Sequence, residues 1–375
     1  MSDRDIPRRK RVIVLGATGS IGASGLDIIR NDPGRFEIVG LSAHRNREAL
    51  ASLAREFGVS EPILSSEGEA PLLEMVKRTE ADVVLNGIAG SSGLRPSIAA
   101  LQSGKDLALA NKETIVMAGP LIRDLAKRAQ ARILPVDSEH SAVFALIEAH
   151  GSDAVAEVVL TASGGPFRSW DRERLARVRA ADALRHPTWS MGPKITVDSA
   201  SLANKGLEVI EACRLFDLPP DRVKVVVHPQ SLVHSLIRTK DGVLWAQISL
   251  PDMRHPILSA LAWPEVVPNQ LEPLALDRLL DMRFEPPRYD DFPLLPLARR
   301  AAGMGGAYTI AYNASNEEAV AAFLEDRIGF LELAEVTARV LERDWSGEPA
   351  DFDAVFAADA AARKAARDTI AILAR

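Results

Sequence analysis

One cysteine in 375 residues, Cys213, leaves no partner for an intrachain disulfide. A lone thiol fits a reducing compartment, and a cytoplasmic protein is expected. Cys213 lies inside the helical pattern LEVIEACRLF, where it reads as a small buried apolar residue more readily than as a nucleophile. No apolar run is long enough to span a bilayer, and the opening MSDRDIPRRKR lacks the apolar core of a signal peptide. Charge of one sign is also missing: 45 basic against 51 acidic residues give a net charge of −6. Neither a general nucleic-acid binder nor a membrane-surface binder is expected from that balance. No repeat of solenoid type occurs. What remains, 47% hydrophobic and 26% charged residues, describes a soluble globular chain long enough for two or three domains.

The first third alternates short apolar runs (RVIVLG, FEIVGLSA, PILS, ADVVLNGIA, DLALAN, ARILPV) with amphipathic helical stretches. Runs that are apolar throughout suit strands covered on both faces, so a doubly wound parallel sheet of Rossmann type is predicted over 1–137. The rhythm then changes. EVVLTASGGPF, KITVDSAS, VKVVVHPQSLVHSLI and VLWAQISL read as strands around a helix NKGLEVIEACRLF, which predicts a mixed α/β catalytic domain over 138–262. Prolines cluster over 263–288 and suggest a linker. The Ala-rich remainder, 289–375, predicts a small helical bundle, with Ser315 and Glu318 read as a capping box.

Strand RVIVLG runs directly into Gly16-x-x-Gly19-x-x-Gly22, where backbone N–H groups at a helix N-terminus can meet a pyrophosphate. A tight turn without ligand would use the same glycines. The second strand ends in His44-Arg45-Asn46, without the acid that usually holds a ribose 2′-hydroxyl. A guanidinium there suits a 2′-phosphate, so NADP is expected over NAD, unless Arg45 only solvates a loop.

The stretch RILPVDSEHSA crowds Asp137, Ser138, Glu139 and His140 onto the end of an apolar strand. In extended chain, Asp137 and Glu139 would point to one side, which like charges tolerate when a cation or proton sits between them. Asp137 or Ser138 could equally be an N-cap. A divalent ion there would want another oxygen ligand, and Glu208 offers one. Asn204 and Lys205 precede it by four and three residues, on one helical face, although Lys beside Glu is also a routine surface pair. Ser163, beside Gly164 and Gly165, and Ser199 with Ser201 add hydroxyls suited to a phosphate pocket.

In order along the chain, GATGSIG, NKE, VDSEH, TASGGPF, HPTWSMG, VDSAS, NKGLEVIEA, HPQSLVHS and PDMRHPI resemble the 1-deoxy-D-xylulose 5-phosphate reductoisomerases. The resemblance covers nearly the whole chain. It implies conversion of that phosphosugar to 2-C-methyl-D-erythritol 4-phosphate, with NADPH and Mg²⁺, Mn²⁺ or Co²⁺, by a homodimer. Residue by residue, it implies Asp137, Glu139 and Glu208 as metal ligands. Lys112, Ser138 and Glu139 would face the substrate, with Lys112, Glu139 and His186 in catalytic roles. Ser163, His186, Ser199, Asn204 and Lys205 would hold the phosphate. Thr18, Gly19, Ser20, Ile21, His44, Arg45, Asn46, Asn111, Glu113 and Gly192 would line the dinucleotide. HPTWSMG is similar to the family's mobile flap, with Trp189 over the substrate, and Met253 would pack near the nicotinamide; each could instead be core filling. The chain departs from the family pattern at His44-Arg45, at Thr188 in the flap and at the serines and Arg95 of GIAGSSGLRP. Rival readings are another two-domain NADP oxidoreductase, such as a semialdehyde or homoserine dehydrogenase, and an NADPH-sensing regulator without chemistry.

Overall fold

A computed structural model describes residues 8–185, 191–277 and 279–374. Backbone proximity divides the chain into two compact units. The first comprises Met1–Asn111, Ile122–Ser141 and Asp252–Leu271; the second comprises Lys112–Leu121, Ala142–Pro251 and Glu272–Arg375.

The first unit is the expected sheet. Strands β1 (Lys10–Leu15), β2 (Phe36–Ala43), β3 (Ile63–Leu64), β4 (Val83–Asn86), β5 (Asp106–Leu109) and β6 (Ile133–Pro135) lie in the order β3-β2-β1-β4-β5-β6. All five pairings are parallel. Val12, Ile13, Val14 and Leu15 of β1 and Val83, Val84 and Leu85 of β4 have no exposed surface, as strands covered on both faces require. The strand order reverses direction between β1 and β4, and ligands of such sheets bind at the carboxyl ends of the strands beside that switch.

The second unit holds a mixed sheet in the order β10-β9-β7-β8, formed by β7 (Val155–Ala162), β8 (Val223–Val227), β9 (Val233–Thr239) and β10 (Leu244–Ile248). β7 pairs in parallel with β8 and antiparallel with β9, which pairs antiparallel with β10. Helices Leu294–Met304, Tyr308–Leu324, Glu332–Leu341 and Phe352–Leu373 follow. Their Ala298, Tyr312, Phe323, Val336 and Ala366 join Val158, Leu160, Val225 and Ile237 of the sheet in one hydrophobic cluster. The segments expected at 138–262, 263–288 and 289–375 therefore do not coincide with the two units. The C-terminal helices share the mixed sheet's core, while helix Arg254–Ala262 counts with the first unit, where it packs on helix Ser20–Asn31. Among the described residues, no helix is long and apolar enough to cross a membrane.

Three local expectations are corrected. KITVDSAS is not a strand; Pro193–Ala200 is a helix with proline in its first turn. Its β-branched Ile195, Thr196 and Val197 suggested a strand, but the fold instead aligns Lys194 with Asp198 one turn on. Ser315 is no cap. It stands inside helix Tyr308–Leu324 and its Oγ donates to Ala311 O at 2.7 Å. The strand before Asp137 stops at Pro135 and a helix starts at Ser138, so Asp137 and Glu139 flank a turn rather than alternating along extended chain.

The turn after β1 is built on close approach. Gly16 sits at φ +76, and a Cβ on Gly22 would fall onto Gly16 O and lie 2.5 Å from Ala17 Cα. Gly22→Ala should therefore lower the stability of this unit by about 1–3 kcal/mol, measured as a shifted urea midpoint. An unchanged midpoint would refute the close-packed turn.

Candidate active site

Every strand of the parallel sheet delivers its loop to the same edge. After β1 come Thr18, Gly19 and Ser20, all exposed, with Ile21 partly buried. Gly19 occupies the N-cap of helix Ser20–Asn31 without any side-chain cap. The first N–H groups of that helix thus meet no capping side chain, which suits an incoming pyrophosphate. After β2 come His44, Arg45 and Asn46, also exposed. His44 Nδ1 is 3.2 Å from Ser65 Oγ. Asn46 Oδ1 accepts from Ala49 N at 3.0 Å and caps helix Arg47–Phe57. Arg47, next along, pairs with Glu67, whereas no acid pairs with Arg45 among the described residues.

Beyond β4 and β5, amide side chains shape the loops. Asn86, wholly buried, donates to Gly93 O at 2.9 Å and Ser97 Oγ at 2.8 Å, and its Oδ1 accepts from Ile88 N. Asn111 Nδ2 donates to Ile88 O at 2.8 Å and Gly90 O at 2.7 Å. Asn111, expected to line the dinucleotide, here holds the carbonyls of the neighbouring loop. Asn86 went unremarked in the sequence, although an amide closing an apolar strand, VVLN, signals a buried polar anchor.

After β6, the VDSE turn combines cap geometry with two closely spaced carboxylates. Asp137 Oδ1 accepts from Glu139 N at 3.2 Å and lies 3.1 Å from His140 Nδ1, as a cap would. Carboxylate oxygens of Asp137 and Glu139 nevertheless lie within 4.8 Å of each other. Ser138 Oγ donates to Glu139 Oε2 at 2.5 Å. An oxygen-only donor set this close matches a hard divalent cation. Met253, partly buried, is the N-cap of helix Arg254–Ala262.

The second unit gathers the rest. Helix Ala203–Leu215 is buried almost all round and still carries Asn204, Lys205 and Glu208. Glu208, 1% exposed, accepts from Asn204 Nδ2 at 2.6 Å and Lys112 Nζ at 3.3 Å on Oε1, and from Lys205 Nζ on Oε2. Lys112 Nζ also donates to Asn204 Oδ1 at 2.7 Å. The surface-pair alternative for Lys205 and Glu208 is thereby excluded, since both are buried. Gly165, at φ +66, packs against the end of helix Pro193–Ala200, where a Cβ would meet Ser199 O at 2.8 Å. That contact brings the Ser163 turn to Ser199; Ser163 Oγ itself accepts from Gly165 N at 3.3 Å. Gly192 is the exposed N-cap of the same helix. Glu113, expected at the dinucleotide, is buried and bound by Lys194 Nζ at 2.6 Å. Lys194 was missed because its segment read as a strand. His186, Thr188 and Trp189 lie outside the described residues.

These features meet a consistent comparison with known proteins. Models of the 1-deoxy-D-xylulose 5-phosphate reductoisomerase family match residues 12–67 and 62–119, those of its C-terminal domains residues 133–216 and 248–365. The reductoisomerase of Treponema pallidum is 52% identical over 367 residues, covering 96% of this chain and 98% of its own. The chain belongs to the 1-deoxy-D-xylulose 5-phosphate reductoisomerase family. The reductoisomerase of Mycobacterium avium is 47% identical, with 99% of this chain and 95% of its own covered. Among solved structures, a reductoisomerase in complex with NADPH, fosmidomycin and magnesium matches with a TM-score of 0.90 and 37% identity, covering 97% of this chain and 99% of its own. The Zymomonas mobilis reductoisomerase in complex with NADPH matches at 0.89 and 39% identity, covering 97% and 99%.

The single thiol is poorly placed to react. Burial pushes the Cys213 thiol up to about 11, so almost no thiolate exists at neutral pH. Cys213 in the folded protein should react with iodoacetamide at pH 8 about a hundredfold more slowly than free cysteine. A rate equal to that of free cysteine would show an exposed, ionised thiol.

Proposed function

We propose that the chain rearranges and reduces 1-deoxy-D-xylulose 5-phosphate to 2-C-methyl-D-erythritol 4-phosphate, with NADPH and a divalent cation, in non-mevalonate isoprenoid biosynthesis. The observation that carries the reading is the buried carboxylate of Glu208, gripped by Lys112, Asn204 and Lys205, in a reductoisomerase-family chain. A sensor without chemistry would have no use for that charge cluster.

Asp137, Glu139 and Glu208 would hold the cation, with Mg²⁺, Mn²⁺ and Co²⁺ all suited to an oxygen set. When bound, such an ion supplies Lewis acidity at the substrate's ketone and neighbouring hydroxyl oxygens. Glu139 would take and return a hydroxyl proton, steadied by Ser138, and Lys112 would orient the oxygens of the rearranging carbons. Ser163, Ser199, Asn204, Lys205 and His186 would bind the phosphate, whose remote binding energy positions the reacting carbons. Trp189 would cover the substrate and exclude water. On the nucleotide side, N–H groups of Thr18, Gly19, Ser20 and Ile21 would receive the pyrophosphate. Arg45, with His44 and Asn46, would face the 2′-phosphate, and Gly192 and Met253 the nicotinamide end. Asn111 would act from behind by fixing carbonyls of the neighbouring loop, and Glu113 through its ion pair with Lys194.

The active form would be a cytoplasmic homodimer. β10 is an edge strand, and Leu244, Trp245 and Ile248, with Val243 beside them, are 43–46% exposed. An apolar sheet edge on a soluble chain invites isologous pairing with a second copy. Sedimentation equilibrium should give twice the chain mass, and a strictly monomeric active enzyme would remove the dimer.

NADPH oxidation should require both the phosphosugar and a divalent cation, and should stop on chelation. Glu208→Gln should lower turnover by about a thousandfold or more while NADPH binding stays within about twofold. Full activity in that variant would remove Glu208 from the metal site, and phosphosugar-independent oxidation would remove the reaction.

A further inference from the structure

We propose that Lys194 is a positioning residue of this enzyme: one ammonium ties together the immediate chain neighbours of two substrate-facing side chains, Lys112 and Ser199. The inference rests on the function proposed above, and Lys194, Asp198 and Asn316 have no part in the ligand contacts set out there.

Lys194 stands in the first turn of helix Pro193–Ala200, with Asp198 four residues on. Its Nζ donates to Asp198 Oδ2 at 2.9 Å and to Glu113 Oε1 at 2.6 Å. The second oxygen of Asp198 accepts from Asn316 Nδ2 at 2.8 Å, on helix Tyr308–Leu324. Glu113 and Asp198 are 6% and 1% exposed. Two buried carboxylates from different helices thus converge on one cation. Glu113 directly follows Lys112, and Asp198 directly precedes Ser199. The ammonium therefore clamps the start of helix Lys112–Ala129 to the end of the helix that carries Ser199.

Further charges surround the clamp. Glu317, held by Arg363 at 2.6 Å and Asn313 at 3.2 Å, adds its field, the buried phenol of Tyr312 neighbours Asp198, and Lys112 acts on Glu113. Burial works against the Lys194 charge, but Asp198, Glu113 and Glu317 more than reverse it and hold its pKa above that of an ordinary lysine. Burial likewise works against the Glu113 carboxylate, and Lys194 brings it below the usual range. Asp198 stays raised, because burial outweighs the help of Lys194 and Asn316. Without the ammonium, two buried acids would face each other, and one would have to take up a proton or move. Small displacements of Lys112 and Ser199 relative to the substrate then lower the rate directly.

The test compares Lys194→Met, similar in length but uncharged, with Lys194→Arg, which keeps the charge. In the Met variant, kcat should fall at least about thirtyfold with the KM for NADPH within about twofold. Its residual activity should climb as pH is lowered from about 8 to about 6, because protonation replaces the missing cation. The Arg variant should recover kcat to within about fivefold of wild type and keep its pH profile. A side chain serving only as filler gives the opposite pattern: Met tolerated, Arg damaging, and a pH profile unmoved in both. That pattern overturns the inference. Should the Met variant not fold, the Arg variant decides alone: recovery supports the clamp, and a thirtyfold loss in a natively folded Arg variant overturns it. Wild-type protein that does not oxidise NADPH with the phosphosugar overturns the proposed function and this inference with it, a result distinct from a wild-type-like Met variant.

Discussion

A carboxylate inside a helix buried on nearly every side is the constraint around which the second unit is organised. Glu208 could not be held there alone, since removing an ion from water costs several kcal/mol even after relaxation. Lys112, Lys205 and Asn204 surround it. Under the proposed function, stability and chemistry would draw on the same contacts. The helix can be buried so deeply because Gly206 faces Tyr312 and Ala298, where a Cβ would meet the phenol oxygen at 2.5 Å. Tyr312, in turn, donates to Leu294 O at 3.1 Å and ties helix Tyr308–Leu324 to helix Leu294–Met304 while its phenol packs against Gly206.

The first unit solves a different problem with simpler means. A parallel sheet sends all its strand ends the same way, so residues far apart in sequence arrive at one edge without specific contacts between them. Buried amides then set the loops: Asn86 and Asn111, at the ends of β4 and β5, both hold backbone carbonyls in the turn that follows β4. Asp137 stands in two arrangements at that edge. It caps the helix that begins at Ser138, and it stands close enough to Glu139 to share a cation with it. The dipole of a helix N-terminus favours negative charge there, which eases the crowding of two acids.

The parallel sheet, the glycine turn and the helix of Asn204, Lys205 and Glu208 were legible because each is local: periodicity, glycine spacing and i,i+4 geometry act over a few residues. Pro193–Ala200 was not, because its β-branched residues favour a strand and one of the two ion pairs of Lys194 comes from Glu113, 81 residues away. Ser315 misled for a related reason. A serine three residues before a glutamate satisfies the capping pattern, but Tyr308 already starts the helix and the serine turns back onto Ala311. The division into two compact units follows buried hydrophobic surface shared by the mixed sheet and the C-terminal helices, whereas a proline cluster reports only on the local chain.

The amino-acid order by itself determined which residue types stand beside which: the glycine turn after the first strand, two acids at the end of the sixth, and a lysine, an amide and a carboxylate on one helical face. It also determined the family, because nine motifs occur in sequence along nearly the full chain. Only the tertiary structure decided that Lys205 and Glu208 form a buried pair rather than a surface one, and that Glu113 belongs to Lys194. Burial sets the strength of a charge interaction by replacing water with a medium of lower polarity, and burial is a property of the whole packed unit rather than of any short stretch of chain.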